Sequence, residues 1–417
     1  MIRRARGMRD ILPEDEIERK RIISIIERNY QEYGFDPVSH PAVERLDVLE
    51  AKSGEGIKTE IFRFDDGELG LRFDLTVSLA RMYSENSGLP LPFKRYAIEK
   101  VWRREEPQYG RYREFTQADA DIVGSSSMRC EAELIACACN TLADLGIKEY
   151  KVYVNNRKLL NATLRHIGLD DARIDTAIRC IDKLDKKGKA EVVKELAQNG
   201  ITNGGEIVDA FTKGIEYYEQ IEECKEGVDE LKKLFSYLEM YGIRNYEFDP
   251  SIARGLGYYT GPIFEIKSAD KQLGTIAAGG RYDGLIGIYA GQQVPAVGIS
   301  FGVDRMANLF KKENSSRTYT DIVLVNVKEE NIKACINYAK KMREKGVAVR
   351  IDLMERSMKK QMEYASAIGA AYVGIIGDNE EKSGTITLKN LGTGEQKNVN
   401  LEDAVKIIKG ETRAKSV

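Results

Sequence analysis

The feature that most limits the fold is a pair of strand-like runs, Phe93 to Trp102 and Glu114 to Val123, separated by a glycine- and arginine-containing loop at 104–112. Two strands joined in this way form an antiparallel hairpin. A loop this long between them is more often functional than a short connector is. Alternation along REFTQADADIV places Glu114, Thr116, Ala118 and Ala120 on one face, and Phe115, Gln117, Asp119 and Asp121 on the other. Gln117 and Asp121, two steps apart on that second face, can hydrogen-bond one small polar ligand. If Arg103 starts the loop on the preceding strand, a guanidinium lies near the same surface. A polar, solvated sheet face fits these residues equally well.

At 417 residues the chain is too long for one ordinary core, so two or three domains are expected. Residues 13–33 read as a helix, with Pro13 in its first turn and Ile17, Ile22, Ile25 and Ile26 as an apolar stripe. Strand-like runs follow near Ile61 to Phe64 and Leu71 to Leu75, then a helix through Ser78 to Tyr83. A helix at 130–145 and a strand at 151–155 come after the hairpin. From about 157 to 240 the segments become charged and amphipathic, as in AEVVKELAQNG, which predicts several helices with few strands. Strand-like, glycine-rich sequence returns at 245–303, where the first core resumes. After the charged break KKENSSR, the tail alternates strand and helix and predicts a small α/β domain with parallel strands.

No apolar run approaches the roughly 20 residues of a membrane span. The basic start MIRRARGMRD has no apolar signal core behind it, so secretion is not expected. The six cysteines lack paired CxxC spacing and there are two histidines, so no zinc is expected. Free thiols in a reducing cytoplasm fit better. The net charge of −2 neither suggests nor excludes nucleic acid. Residues 94–113 carry seven basic and three acidic side chains, which suits polyphosphate or nucleic acid, or a solvated charged hairpin. The tail from 321 holds 17 basic and 14 acidic residues, too small an excess to identify a partner. Neither a Walker-type phosphate loop nor a strand-led GxGxxG is present.

Four further segments mix glycine, charge and rings. RGLGYYTG (Arg254 to Gly261) combines an arginine suited to phosphate or carboxylate with Tyr258 and Tyr259, amid glycines that allow close approach. A glycine-rich turn ahead of a strand is the plainer reading. LRFDLT at 71–76 reads as a strand with Asp74 and Thr76 on one side, where Asp74 can take an ammonium group. AAGGRYDGL at 277–285 lets backbone approach a ligand. PAVGISFGVDRM at 295–306 runs from an apolar strand into a helix bearing Arg305.

Taken in order, these segments resemble the histidyl-tRNA synthetases, a class II aminoacyl-tRNA synthetase family, over essentially the whole chain. The hairpin with Arg103 resembles the second class II motif and VGISFGVDR the third. FDPVSHPAVERLDVL at 35–49 resembles the first, which helps form a dimer interface. RGLGYYTG and AGGRYDGL resemble two segments peculiar to the histidine enzymes. Aspartate at Asp74 and Asp121 is similar to the archaeal and eukaryotic type.

The resemblance implies an α/β fold with an α+β catalytic core: an antiparallel sheet with flanking helices, in two parts at 1–156 and 244–315. It implies a helical insertion at 157–243 and a C-terminal α/β anticodon-binding domain at 318–417. It implies a cytoplasmic homodimer that activates L-histidine with ATP and Mg²⁺ and transfers it to tRNA(His). By the same resemblance Arg103, Glu105 and Arg305 hold ATP, and Arg254 neutralises the α-phosphate. Asp74, Thr76 and Gln117 surround the α-amino group, and Asp121 and Tyr259 reach the imidazole with Tyr258 beside them. Tyr112 approaches the substrate, and Gln108 and Arg111 approach tRNA. Relatives that serve as regulatory subunits of ATP phosphoribosyltransferase or as tRNA sensors typically lack the terminal domain or the motif arginines. This chain keeps Arg103, Arg254, Arg305 and the tail.

Overall fold

The computed structural model describes residues 3–51, 55–108, 110–253, 257–269, 274–310 and 317–415. They form two compact units, one of Met1–Asp10 with Arg21–Phe310, the other of Ile11–Lys20 with Lys311–Val417. Among the described residues no helix is long and apolar enough to cross a membrane, and all six cysteines are buried and free.

The larger unit is built on one sheet. In chain order its strands are β1 (Asp36–Pro37), β4 (Phe93–Trp102), β5 (Glu114–Val123), β6 (Tyr150–Asn156), β7 (Tyr246–Phe248), β8 (Pro262–Ser268), β9 (Thr275–Arg281) and β10 (Ala296–Gly302). A separate small pair, β2 (Val43–Arg45) and β3 (Leu69–Leu71), lies between β1 and β4 in the sequence. The spatial order is β1-β4-β5-β10-β9-β8-β6-β7. The six inner strands are antiparallel, and only the short edge strands β1 and β7 pair in parallel. The hairpin strands have the boundaries the alternation predicts.

One face of this sheet is apolar. Ala118, Ala120 and Ile122 of β5 and Val297, Ile299 and Phe301 of β10 point to a core shared with several helices. The helix Pro13–Glu32 contributes Ile22, Ile26 and Tyr30, spaced by four residues so that they fall on one stripe. Gly34, at φ +72°, stops the chain just beyond that helix. The helix Arg129–Asp144 is buried along nearly its whole length, which explains its apolar sequence and its cysteines. Residues 157–240 are helical throughout their regular elements and leave and rejoin the sheet at β6 and β7, which lie side by side.

The smaller unit has a five-stranded sheet. Its strands are β11 (Ile322–Asn326), β12 (Val349–Ile351), β13 (Tyr372–Ile376), β14 (Thr385–Asn390) and β15 (Gln396–Asn400), in spatial order β12-β11-β13-β14-β15. The first three are parallel, as the strand-helix alternation predicts. β14 and β15 add an antiparallel hairpin that the sequence reading does not contain. Two other expectations are corrected. Ile61 to Phe64 forms only an isolated bridge at Arg63, and the run expected at Leu71 to Leu75 is a strand only at Leu69–Leu71.

A buried ion pair ties the end of β9 to the helix Arg129–Asp144. Arg281 donates from Nε and Nη2 to Glu131 at 2.6 and 2.8 Å, and both residues are essentially inaccessible. Removing Glu131 leaves the buried Arg281 with only the partly exposed Asp283, at 3.2 Å, to balance its charge. Glu131→Ala is expected to cost about 3–5 kcal/mol, read as a lower urea midpoint. The apolar double variant Glu131→Leu/Arg281→Met should regain much of that loss, because the only charge it leaves without its arginine, Asp283, is partly exposed and keeps the Ala296 amide.

Candidate active site

The polar face of the sheet carries the site in rows. Register sets Arg95 of β4, Asp121 of β5, Gly298 of β10 and Gly280 of β9 side by side. The next row holds Ala97, Asp119, Ser300 and Ala278. The third holds Glu99, Gln117 and Gly302. Glycine is required at 298, because a Cβ there would stand 1.9 Å from Asp121 Oδ1. The neighbouring strand thus makes room for a carboxylate that must lie flat against it.

Arg95 is fully buried in this row. Its Nη2 stands 2.8 Å from Asp121 Oδ2, off the line of a hydrogen bond, and donates to the Leu75 carbonyl at 3.2 Å. The Tyr282 hydroxyl donates to Asp121 Oδ1. Gln117 Nε2 donates to Ser300 Oγ at 2.8 Å. Asp119 Oδ1, Asp121 Oδ2 and Gln117 Oε1 have no hydrogen-bond partner although all are buried. Buried acceptors left this way are costly unless something fills them.

Asp74 forms the opposite wall. It lies past the end of β3 and just ahead of the helix Thr76–Glu85, not on a strand as LRFDLT suggests. Its Oδ1 accepts from the Val77 backbone N–H at 3.0 Å. An aspartate that satisfies a first-turn amide favours a helix start over strand continuation. Tyr258 donates to its Oδ2 at 3.4 Å, and the rings of Tyr258 and Tyr259 meet edge-on with centroids 5.2 Å apart.

Burial dominates the acidity of these carboxyls. It pushes Asp74 up to about 6, against the Val77 amide and Arg103. Burial, and then the charge of Asp121, push Asp119 up to about 7. Asp121 is raised by burial and held back by Arg95. Three carboxyls with one buried arginine among them make a pocket that favours N–H donors and positive charge.

The far end of the cavity is cationic. Arg103 leaves β4, donates from Nε to the Phe73 carbonyl at 3.0 Å and lies 5.2 Å over the Phe115 ring. Arg305, on the helix Val303–Leu309, donates to the Thr275 carbonyl at 2.6 Å. Glu105 stands 4.0 Å from Arg111. The whole cavity has a volume of about 370 Å³, within the range of small-molecule sites.

Asp74, Thr76, Arg103, Glu105, Arg111, Tyr112, Gln117, Asp121, Tyr258, Tyr259 and Arg305 all line this one cavity. Gln108 does not; it lines a neighbouring groove with Pro107 and the segment Arg3–Asp10. Arg254 lies outside the described residues, as do Gly255 and Leu256. Sequence reasoning overlooked Arg95, Asp119, Tyr282 and Ser300. Asp119 shares the face of Gln117 and Asp121, and Tyr282 sits within AAGGRYDGL, so both carried a readable signal. Arg95 counted only as one charge in a basic stretch, and nothing in the chain links it to Asp121 before register is known.

The family described as Histidyl-tRNA synthetase matches residues 7–306, and the one described as Anticodon binding domain matches 321–411. The chain is 39% identical to the histidine–tRNA ligase of Aeropyrum pernix, with 97% of each chain covered. It is 38% identical to that of Korarchaeum cryptofilum, covering 93% of this chain and 94% of the relative. The crystal structure of histidyl-tRNA synthetase from Nostoc sp. PCC 7120 superposes with a TM-score of 0.86 at 29% identity, over 99% of both chains.

The weakened acidity of Asp119 has a consequence for stability. An unfolded aspartate ionises near pH ~4, whereas the folded carboxyl resists ionisation up to about 7. Its contribution to stability is therefore full below the unfolded value and is lost as pH rises through the folded one. Asp119→Asn removes that loss. The variant's thermal midpoint should gain on the wild type as pH rises from ~4 to ~7, then hold a constant lead. A difference that ignores pH would exclude a raised Asp119.

Proposed function

The chain belongs to the histidyl-tRNA synthetase family, and from that premise we propose that its cavity joins L-histidine to tRNA(His) through a histidyl-adenylate. The supporting observation is the division of one cavity into an anionic end with unfilled acceptors and a cationic end bearing Arg103 and Arg305. Histidine has nitrogens for the first, and ATP has phosphates for the second.

In this reading Asp74, Thr76 and Gln117 receive the α-amino group. Asp121 and Tyr259 receive the imidazole, with Tyr282 holding the Asp121 carboxylate in place. The substrate carboxylate then attacks the α-phosphorus of ATP. A carboxylate-oxygen-to-phosphorus bond forms, and the bond to the β-phosphate oxygen breaks, releasing pyrophosphate. In the second step the 3′-hydroxyl of the terminal adenosine attacks the histidyl carbonyl, and AMP leaves. The protein forms no covalent bond; it positions reactants and stabilises charge. Arg103, Glu105 and Arg305 are assigned to ATP, with Arg305 toward its γ end, and Arg254 to the α-phosphate as charge grows there.

Mg²⁺ bound through phosphates needs only one or two protein carboxylates. Glu105, beside Arg103 and Arg111 at the cationic end, is the carboxylate that fits it. When bound, the ion would offset the charge of the departing pyrophosphate. Arg111 and Gln108 are assigned to the tRNA. Residues 1–156 and 244–315 are taken as the catalytic core, 157–243 as a helical insertion and 318–417 as the anticodon-binding domain. A cytoplasmic homodimer formed through 35–49 completes the proposal.

The direct test is histidine-dependent exchange of pyrophosphate into ATP. Folded protein that shows none in the presence of Mg²⁺ would belong with the non-catalytic relatives. Arg254→Ala should slow adenylate formation by roughly 10²–10³-fold in single-turnover assays while histidine still binds, because its charge acts mainly in the transition state. Asp121→Ala should weaken histidine by at least roughly tenfold and leave ATP nearly unaffected, since it unmakes a hydrogen bond to a buried nitrogen. Equal loss of both ligands would place the imidazole elsewhere.

A further inference from the structure

The segment Arg3–Asp10 takes no part in the chemistry above, yet it carries four arginines and one aspartate in eight residues. It is fastened to the hairpin loop. The Arg113 backbone N–H donates to the Gly7 carbonyl at 3.0 Å. Gly7 adopts φ +79°, and a Cβ there would stand 2.7 Å from the Arg113 side chain, so only glycine fits. Arg9 pairs with Asp304 and lies 3.8 Å over the Tyr112 ring. Held in this way, the segment forms one side of an open groove of about 770 Å³, with Pro107 and Gln108 on the other. Tyr112 is a wall of both this groove and the catalytic cavity.

The four arginines have different uses. Arg9 is the anchor. Arg6 pairs with Glu106 and so neutralises a loop carboxylate that would repel an anion. Arg4 comes no nearer to Asp10 than 3.9 Å, with both side chains mostly in solvent. Arg3 forms no ion pair among the described residues and is exposed. Two guanidinium groups are thus held at the rim of a groove without a strong intramolecular partner, and such groups contribute little to stability. Guanidinium matches phosphate geometry, and phosphate contacts fix the register of a nucleic acid without reading its sequence.

We propose that Arg3 and Arg4 bind the phosphodiester backbone at the acceptor end of the tRNA, so that its 3′ terminus passes Tyr112 into the cavity. The inference rests on the ligase reading above and adds a surface to it. An RNA strand suits the groove because the groove shares Tyr112 with the cavity that the tRNA terminus must enter to be aminoacylated. The cost of a free, cationic rim is then offset only when the RNA arrives.

The test uses full-length protein and a tRNA(His) transcript. In the Arg3→Ala/Arg4→Ala variant the transcript should bind roughly tenfold more weakly at ~0.1 M salt. The slope of log affinity against log salt should shrink by about 1.4–1.8, the value for two phosphate contacts. Arg3→Lys/Arg4→Lys should restore most of the slope, because it keeps the charge. Pyrophosphate exchange, which involves no RNA, should keep its rate. An unchanged salt slope would overturn the inference. So would an equal fall in exchange, which would make the arginines supports of the cavity. Wild-type protein without exchange would instead defeat the ligase reading, and this inference with it.

Discussion

Arg95, fully buried on β4, one strand in from the edge of the eight-stranded sheet, is the charge on which the polar face of that sheet depends. A guanidinium in such a place costs several kcal/mol unless anions surround it. Asp121 is opposite it by register, and Asp119 lies one row away. The carboxyls are themselves pushed toward neutrality by burial, so the arginine and the acids hold each other in place. The balance is incomplete. Two nitrogens of Arg95 and one oxygen on each of Asp119 and Asp121 have no hydrogen-bond partner. A ligand with N–H donors supplies what the acids lack, so the least comfortable part of the fold is also its candidate binding pocket.

That discomfort is tolerated because the same strands bury a large apolar face. Ala118, Ala120 and Ile122 alternate with Gln117, Asp119 and Asp121 along β5, so Asp119 and Asp121 each have a core neighbour on either side. The strand is pinned by hydrophobic burial on one face, and the other is free to carry chemistry. The helical stretch at 157–240 adds to that apolar core, to which Leu159, Val228, Leu231 and Leu234 belong. It departs from β6 and returns as β7, which pairs with β6 at the sheet edge, so its ends are already together. Closing a long excursion whose ends meet adds little entropy cost.

Much of this was readable from local pattern. The hairpin at 93–123, the helix at 13–32 and the parallel part of the second sheet follow from periods of two and of about 3.6, which depend on neighbours in the chain. Asp74 was misread because strand and helix start share the same few residues. What decides is the carboxylate that accepts from Val77, and that bond is invisible without φ and ψ. In the hairpin of β14 and β15 only TITLKN carries a signal, the alternation that buries Ile386 and Leu388; QKNVN is polar and almost wholly exposed, so nothing local marks it as the partner strand. Tyr282 and Asp119 lay within segments already singled out, yet their partners come from other strands.

The amino-acid sequence by itself determined which side chains are available, which of them share a strand face, and where glycine lets a backbone come close. Those are consequences of covalent geometry and of a period that any strand must keep. Only the tertiary structure decided that β5 runs beside β10, that Gly298 stands opposite Asp121, and that Arg95 flanks Asp121 on its other side. Register between strands far apart in sequence is set by the simultaneous burial of two faces, a property of the assembled sheet. The charge balance at the site is a consequence of that register, and no single segment contains it.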